Sequence, residues 1–443
     1  MIRASHRTRW LVALVACATM AVAGCSSGGS SGGGQSATIK IITWVNPPAV
    51  AAFQKINAEF EKKYPNIHVE FSTAENVNGP YATLLRNSVA SGSADIVMSN
   101  AQMQPFPLHP TRQSMSSEQY WATQGVFLPL NGQSFLNNLS PSAKQALTYH
   151  GKVQGLLTGH YDWIVFYNKA TFAKYNLQPP KTYSEFLKVC QTLKSHGVTP
   201  VWLGSGGAPQ YVGDFLTVPL MGELWLPHVP GNNLALALEK GQTKWTDPHF
   251  TEAMNREKAI AAYLEPSYTG EQWQGMPTAF AGGKSAMLLD GSWDLASIHK
   301  ANPKMQVGAF PFPGSDTASD NQPIYANDLW IAVLKKAVSS DPAVKAATLK
   351  WLNFFASKPI YSQYVNMTGI SASMPGNYTG FSAQVLGKYF TGGINLTSVM
   401  PTLGTNEGYW DLAANWPTAQ INFLSGKSTA TEVQQNYAKD WKG

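Results

Sequence analysis

The segment TIKIITWVNPPAVAAFQKINAEFEKKYPNIHVEF, residues 38–71, decides the fold class. Its opening TIKIITW is β-branched and aromatic enough to predict a strand, and Pro47-Pro48 breaks it. Val50, Phe53, Ile56, Phe60 and Tyr64 then recur at spacings of three or four, which predicts an amphipathic helix ended by Pro65. Ile67, Val69 and Phe71 alternate with His68 and Glu70, as a half-buried strand does. Strand, helix and strand within ~35 residues make a βαβ unit, so the class is α/β with a parallel sheet.

Working outward, Asp95–Met98 reads as another short strand, and the polar, Pro-containing stretch 99–135 as irregular. Residues 153–158 and 163–167 read as strands around Gly159-His160-Tyr161-Asp162, where a second α/β region starts. Thr182 with Glu185 forms a capping box for a helix to about His196, and Gly197 stops it. A strand at 198–203 and a turn-rich stretch, Gly204 to Gly213, follow. Helices are predicted at 250–264 and at 342–356, the second opened by Asp341-Pro342. Thr429 and Glu432 cap a last helix.

The bulk numbers bound the function. At 443 residues the chain is long enough for two domains. Its first 34 residues are a basic leader with Arg3, Arg7 and Arg9, an apolar run Trp10–Ala23, the sequence Val22-Ala23-Gly24-Cys25 and a Ser/Gly tract. That pattern describes a secretory signal, and the run is shorter than the ~20 residues of a spanning helix. The net charge of +6 falls to +3 without the leader, and only Lys62-Lys63 and Lys335-Lys336 are dense, so no nucleic-acid partner is expected. Of three cysteines, Cys17 lies in the leader, and Cys190 shares a helical face with Phe186, Leu187 and Leu193 as core filler. Aromatics are abundant, with 14 Trp, 18 Tyr and 19 Phe, while charged residues are only 13%.

No strong catalytic motif appears. The nine histidines lie ten or more residues apart, so no local metal site is predicted, and no cofactor is expected. Ser425-Gly426-Lys427-Ser428 lacks the upstream glycine of a phosphate loop, because position 421 is Ile. Gly204-Ser205-Gly206-Gly207 is not a nucleophile elbow. Asp162, Glu223, Asp290, Asp294, Asp328 and Glu407 do sit near aromatics. Two of them ~5–9 Å apart would make a glycosidase pair. The same acids would equally serve as hydrogen-bond acceptors for sugar hydroxyls, or as structural groups. Aromatic rings cover the C–H face of a pyranose while carboxylates and amides pair with its rim, so the composition permits carbohydrate binding.

Three stretches carry a family resemblance. Residues 153–186 contain Tyr161-Asp162, Phe166-Tyr167-Asn168-Lys169, Pro179-Pro180-Lys181-Thr182 and Glu185-Phe186; residues 280–293 read FAGGKSAMLLDGSW; and Phe310-Pro311-Phe312-Pro313-Gly314 follows. In this order they resemble extracellular solute-binding proteins of the maltose-binding type, over essentially residues 38–443. The resemblance implies two α/β lobes of the periplasmic-binding-protein fold, three hinge crossings near 157–161, 310–325 and 368–374, and a ligand cleft between the lobes. One lobe would be 38–157 with 322–368, the other 158–312 with 372–443. Cys25 after Val-Ala-Gly resembles a bacterial lipobox. That implies a signal peptide over 1–24, a lipidated Ser/Gly tether over 25–37, and anchoring to the outer face of the cell membrane.

The function implied is the carbohydrate-capturing subunit of an ABC importer, with oligosaccharide favoured. It would act as a monomer, close on its ligand and present it to membrane permease subunits, while a separate subunit uses ATP. Trp293 matches a family tryptophan that stacks on a sugar face, and Tyr409-Trp410 resembles the family's later aromatic run. Tyr161 and Asp162 would face the cleft from the first crossing. Trp44 and Asn46, and Asn100 and Gln102, follow strand ends, where open sheets place ligands. Asn327 and Asp328 lie past the second crossing, although members often carry glycines there. Tyr211 and Trp225 are looser candidates, and Trp202 reads as core. The rival readings are a secreted glycoside hydrolase, a binder of a non-sugar solute such as a glycerophosphodiester or opine, and a structural lipoprotein.

Overall fold

Residues 37–74 fold as strand, helix and strand, and each boundary has a local cause. Asn46 caps the helix Pro47–Lys63 by accepting the Ala49 N–H at 3.4 Å, and the two prolines that open it need no donor there. Ala52, Phe53, Ile56 and Phe60 of that helix are fully buried. The strands pair in parallel from Ala37 with Ile67 to Trp44 with Ala74. The computed structural model describes residues 36–75, 79–101, 103, 115–206, 210–387, 393–399 and 412–440.

In chain order the strands are β1 (Ala37–Trp44), β2 (Ile67–Ala74), β3 (Ile96–Ser99), β4 (Thr148–Tyr149), β5 (Lys152–Val153), β6 (Leu156–Leu157), β7 (Gly159–Asn168), β8 (Val201–Trp202), β9 (Met287–Gly291), β10 (Val307–Phe310), β11 (Ile324–Asn327), β12 (Trp330–Val333), β13 (Ser371–Ala372) and β14 (Ile394–Asn395). The first sheet has the order β2-β1-β3-β12-β6. The second has β14-β11-β7-β9-β8, with β10 and β13 also on β7. Each sheet has its own core. The first gathers Ile39, Phe53, Phe60, Trp330, Trp351 and Phe355. Along β7 and β9, Trp163, Val165 and Leu289 face one buried cluster while Ile164, Phe166 and Leu288 face another. The second sheet is therefore covered on both faces, as the alternation of a strand allows.

Several elements differ from expectation. The second α/β region opens with one unbroken ten-residue strand, β7, because Gly159 to Asp162 pair with β11 and β13. Within the stretch expected to be irregular, Ser116 and Gln119 form a reciprocal capping box on a helix, Ser117–Thr123. The turn-rich stretch leads at Gln210 into helix, and Gly213–Thr217 is a π-helical turn. The chain passes from the second sheet to the first between β11 and β12, at Asp328-Leu329, rather than at 322, because Ile324 to Asn327 pair with β7.

Three chain crossings therefore join the lobes, and they bond to one another. Thr158, between β6 and β7, donates both its N–H and its hydroxyl to the Leu329 carbonyl. The Asp328 N–H donates to Gly159 O at 3.0 Å. From the third crossing, Ser373 donates to Leu157 O at 2.8 Å, and the Tyr361 hydroxyl donates to Thr158 O at 2.7 Å. Gly159 has no room for a Cβ, which would overlap the Ser371 carbonyl and the Ile370 side chain.

Candidate functional site

A cavity of about 630 Å³ opens between the lobes. Trp44, Asn46, Pro48 and Met367 line it from the first lobe, and Trp273, Trp293, Asp294 and Lys300 from the second. Its first wall exists because β1 ends at Trp44 and the helix cap at Asn46 turns the chain outward. Its second wall exists because β9 ends at Gly291 and the chain turns through Ser292–Asp294 into the helix Leu295–Ala301. Both walls thus lie beyond the carboxyl ends of strands, the usual ligand position in open α/β sheets.

Behind that wall the rings are continuous. Tyr161 meets Trp293 edge-on with centroids 5.0 Å apart, and Phe215 lies 6.2 Å from Trp293. Tyr211 contacts Phe215 at 5.1 Å and Trp273 at 5.6 Å. Trp44, Trp273 and Trp293 are half-buried, so each keeps exposed ring surface. On the opposite lobe, Trp44 is held by Tyr81 at 5.5 Å.

Carboxylates underlie the rings. Burial pushes Asp214 up to about 7, Asp294 to about 6 and Asp328 to about 6. Asp290, fully buried, rises well above the carboxylate range through burial and the charge of Asp294, while its Oδ1 accepts the Gly291 N–H at 2.8 Å. Burial raises the Tyr161 hydroxyl, and the charges of Asp328 and Asp214 raise it further.

The sequence-predicted residues separate into groups. Trp44, Asn46 and Trp293 line the cavity. Tyr161 and Tyr211 stand behind it in the ring network. Asp162 is fully buried at the hinge, where the Ser371 hydroxyl donates to Oδ2, and burial raises the acid to about 7. Asn327 is buried within β11 opposite His160, and Asp328 is half-buried at the second crossing. Asn100 is exposed just past β3 and does not line the cavity. Trp225 is corrected to a core position. It is fully buried, stacks on Phe250 at 5.5 Å, and donates its indole N–H to Thr243 at 3.1 Å. Gln102, Tyr409 and Trp410 lie outside the described residues. Glu223 is also structural, since its Oε2 accepts the Gly314 N–H and holds the Phe312-Pro313-Gly314 segment.

Residues 44–360 match the family described as bacterial extracellular solute-binding protein. The chain belongs to this family. A multiple sugar-binding protein of Streptococcus mutans is 25% identical over 329 residues, covering 74% of this chain and 73% of that one. The melibiose/raffinose/stachyose-binding protein MelE of Bacillus subtilis is 22% identical over 377 residues, covering 82% of this chain and 79% of its own length. Among solved structures, a chitin oligosaccharide binding protein matches with a TM-score of 0.71 at 21% identity, covering 92% of this chain and 98% of that one. RafE in complex with raffinose matches with a TM-score of 0.67 at 18% identity, covering 91% and 98%. These structures share the two-lobed fold.

In this solute-binding protein, sequence reasoning missed Trp273, Lys300 and Asp214. Trp273 sits on a one-turn helix, Trp273–Gly275, with no periodicity to mark it. Asp214 lies on the π-helical turn Gly213–Thr217, which no local pattern announces, and its charge adds to the rise of the Tyr161 and Tyr211 hydroxyls that burial causes. Among the described residues, no group of three or more His, Cys, Asp or Glu is placed to hold a metal ion. No helix among them is long and apolar enough to cross a membrane.

Proposed function

We propose that this protein is the lipid-anchored, carbohydrate-capturing subunit of an ABC importer, taking an oligosaccharide between its lobes and handing it to membrane permease subunits. The observation that carries this reading is the cavity of about 630 Å³ lined by Trp44, Trp273 and Trp293, with Asp294 and Asn46 beside them. Three indoles give flat apolar surface for the faces of successive sugar rings. The carboxyl and amide groups give acceptors and donors for the hydroxyls around them. The sugar-binding names of its relatives in Streptococcus mutans and Bacillus subtilis support the same class.

Binding works by closure. The ligand touches both walls only when the lobes approach, so it stabilises the closed form by its extra affinity for that form. Lobes 38–157 with 329–368, and 158–327 with 372–443, would move about the three crossings. The lipid on Cys25 keeps the monomer near the permease, and the Ser/Gly tether gives it reach. The protein acts without turnover. Among the candidate acids, Glu223 accepts the Gly314 N–H and Asp162 accepts the Ser371 hydroxyl, which are structural roles.

The test is a thermal-shift screen of residues 36–443 against mono-, di- and trisaccharides, polyols and glycerophosphodiesters, with chromatography of each hit for cleavage products. A ligand at ~100 times its Kd adds about 2.7 kcal/mol of stability. An intact saccharide that raises Tm supports the reading. Cleaved saccharide overturns it in favour of a hydrolase, and a response confined to glycerophosphodiesters moves it to a non-sugar solute.

A further inference from the structure

The fold stacks two imidazoles that the sequence keeps apart. The rings of His228 and His249 lie face to face, with centroids 4.0 Å apart and planes 15° from parallel. His228 ends the short turn Leu226–His228 and is exposed. His249 is the second residue of the helix Pro248–Ala261, and 41% of its side chain is accessible. Neither ring lines the inter-lobe cavity.

One chain of hydrogen bonds anchors both segments. The His228 backbone N–H donates to the Trp225 carbonyl at 3.0 Å, and the buried Trp225 indole donates to the Thr243 hydroxyl at 3.1 Å. That hydroxyl donates to Asp247 Oδ2 at 3.0 Å. Asp247 Oδ1 accepts the His249 backbone N–H at 2.9 Å and lies 2.8 Å from its ring Nδ1. A carboxylate only accepts, so Nδ1 carries the hydrogen, and in the neutral ring Nε2 keeps its lone pair. Among the described residues that Nε2 has no hydrogen-bond partner, and neither has either ring nitrogen of His228. An imidazole whose N–H is held by a carboxylate has the orientation and basicity of a metal ligand.

We propose that His228 and His249 form a binding site for a divalent transition ion such as Zn2+, in the second lobe and separate from the inter-lobe cavity. His249 coordinates through Nε2, His228 supplies a second nitrogen, and Asp247 is a positioning residue. Two Zn–N bonds of ~2.0–2.1 Å at a tetrahedral angle set their nitrogens about 3.3 Å apart. Stacked rings 4.0 Å apart reach that spacing by a small pivot of the exposed His228. Asp247 stays behind His249, so the ion has two protein ligands and water in its other positions. The described residues accordingly contain no group of three or more His, Cys, Asp or Glu about one ion.

The ligand set selects the class of ion. Imidazole suits zinc, copper and nickel, whereas magnesium and calcium take oxygen ligands. A bound ion ties the turn Leu226–His228 to the start of the helix Pro248–Ala261. Because it binds the folded chain, it raises stability by mass action. Saccharide affinity stays unchanged, since neither ring lines the cavity.

Calorimetric titration of untagged, chelator-treated residues 36–443 with Zn2+ and with Mg2+ tests this. The expected result is one Zn2+ bound per chain, much weaker binding of Mg2+, and a Tm that Zn2+ raises. His228→Ala and His249→Ala should each weaken Zn2+ binding by about 10-fold or more. Asp247→Asn keeps a helix-capping side chain and should weaken Zn2+ binding by about 10-fold with little change in the Tm of the metal-free protein. Absence of Zn2+ binding to the wild-type protein overturns the inference, and so does Mg2+ binding as tight as Zn2+. Zn2+ binding that both histidine substitutions leave unchanged overturns it too. His228 is exposed, so His228→Ala keeps the fold, and its metal-free Tm checks that. No saccharide enters the measurement, so its failure leaves the carbohydrate reading intact.

Discussion

Trp225 and Trp293 carry the same indole, but their surroundings separate them. Trp225 is fully buried against Trp245 and Phe250, whereas Trp293 keeps part of its ring on the cavity. Trp225→Ala should cost about 3–5 kcal/mol of stability in denaturant unfolding and leave the affinity of the folded fraction unchanged. Trp293→Ala should weaken ligand binding by about 2 kcal/mol, roughly 30-fold, with a much smaller loss of stability. A sequence shows both residues as tryptophan near glycine and acid, and only the three-dimensional packing tells them apart. Asp162 poses a different residue-level test. It is fully buried and raised from 3.8 to about 7 by desolvation, with the Ser371 hydroxyl as its partner. The folded chain therefore holds this proton more tightly than the unfolded one does. That stabilisation is complete below about pH 4 and is lost, at up to ~1.4 kcal/mol per pH unit, as pH rises to 7. Asp162→Asn keeps an oxygen for Ser371 but has no proton to lose. Relative to this variant, wild-type stability measured by chemical denaturation should fall between pH 4 and 7 and level off above.

At the scale of elements, periodicity made the first lobe legible. Phe53, Ile56 and Phe60 lie on one buried face, and Asp341 caps the helix Pro342–Phe355 through the Ala343 and Val344 amides. Local chemistry of this kind is written in consecutive residues. The crossings are not, because their hydrogen bonds link residues such as Leu157 and Ser373 that lie far apart in the chain. The second crossing accordingly falls later in the chain than its sequence suggests, and β7 pairs throughout the Gly-containing stretch 159–162. The π-helical turn with Asp214 left no sequence signal, since three of its five residues are the apolar or small types common to any helix. Gly159 gives the element-level prediction. Its strand approaches β13 so closely that Gly159→Ala must push Ser371 and Ile370 aside. The expected cost is about 1–3 kcal/mol by denaturant unfolding, together with an altered balance of open and closed lobes in small-angle scattering.

For the whole molecule, the family-level architecture was the most readable feature, because its signature segments lie in order along the chain and each builds a named part. FAGGKSAMLLDGSW supplies β9 and the cavity residue Trp293, and Phe312-Pro313-Gly314 is held by Glu223. The ligand's identity was not readable, since the cavity is assembled from residues as distant as Trp44 and Met367. Ligand addition should reduce the radius of gyration in small-angle scattering, and an unchanged profile at saturating ligand would sink the closure mechanism. Cys25→Ser should move the protein from the membrane fraction to the medium. The lone described thiol, Cys190, has a further practical meaning. It is fully buried on the helix Tyr183–Ser195, and burial holds it protonated. A cysteine placed on the outer surface of each lobe would therefore take maleimide dyes without competition from the native thiol. The distance between the lobes then becomes a fluorescence signal, one molecule at a time, in an otherwise unaltered body.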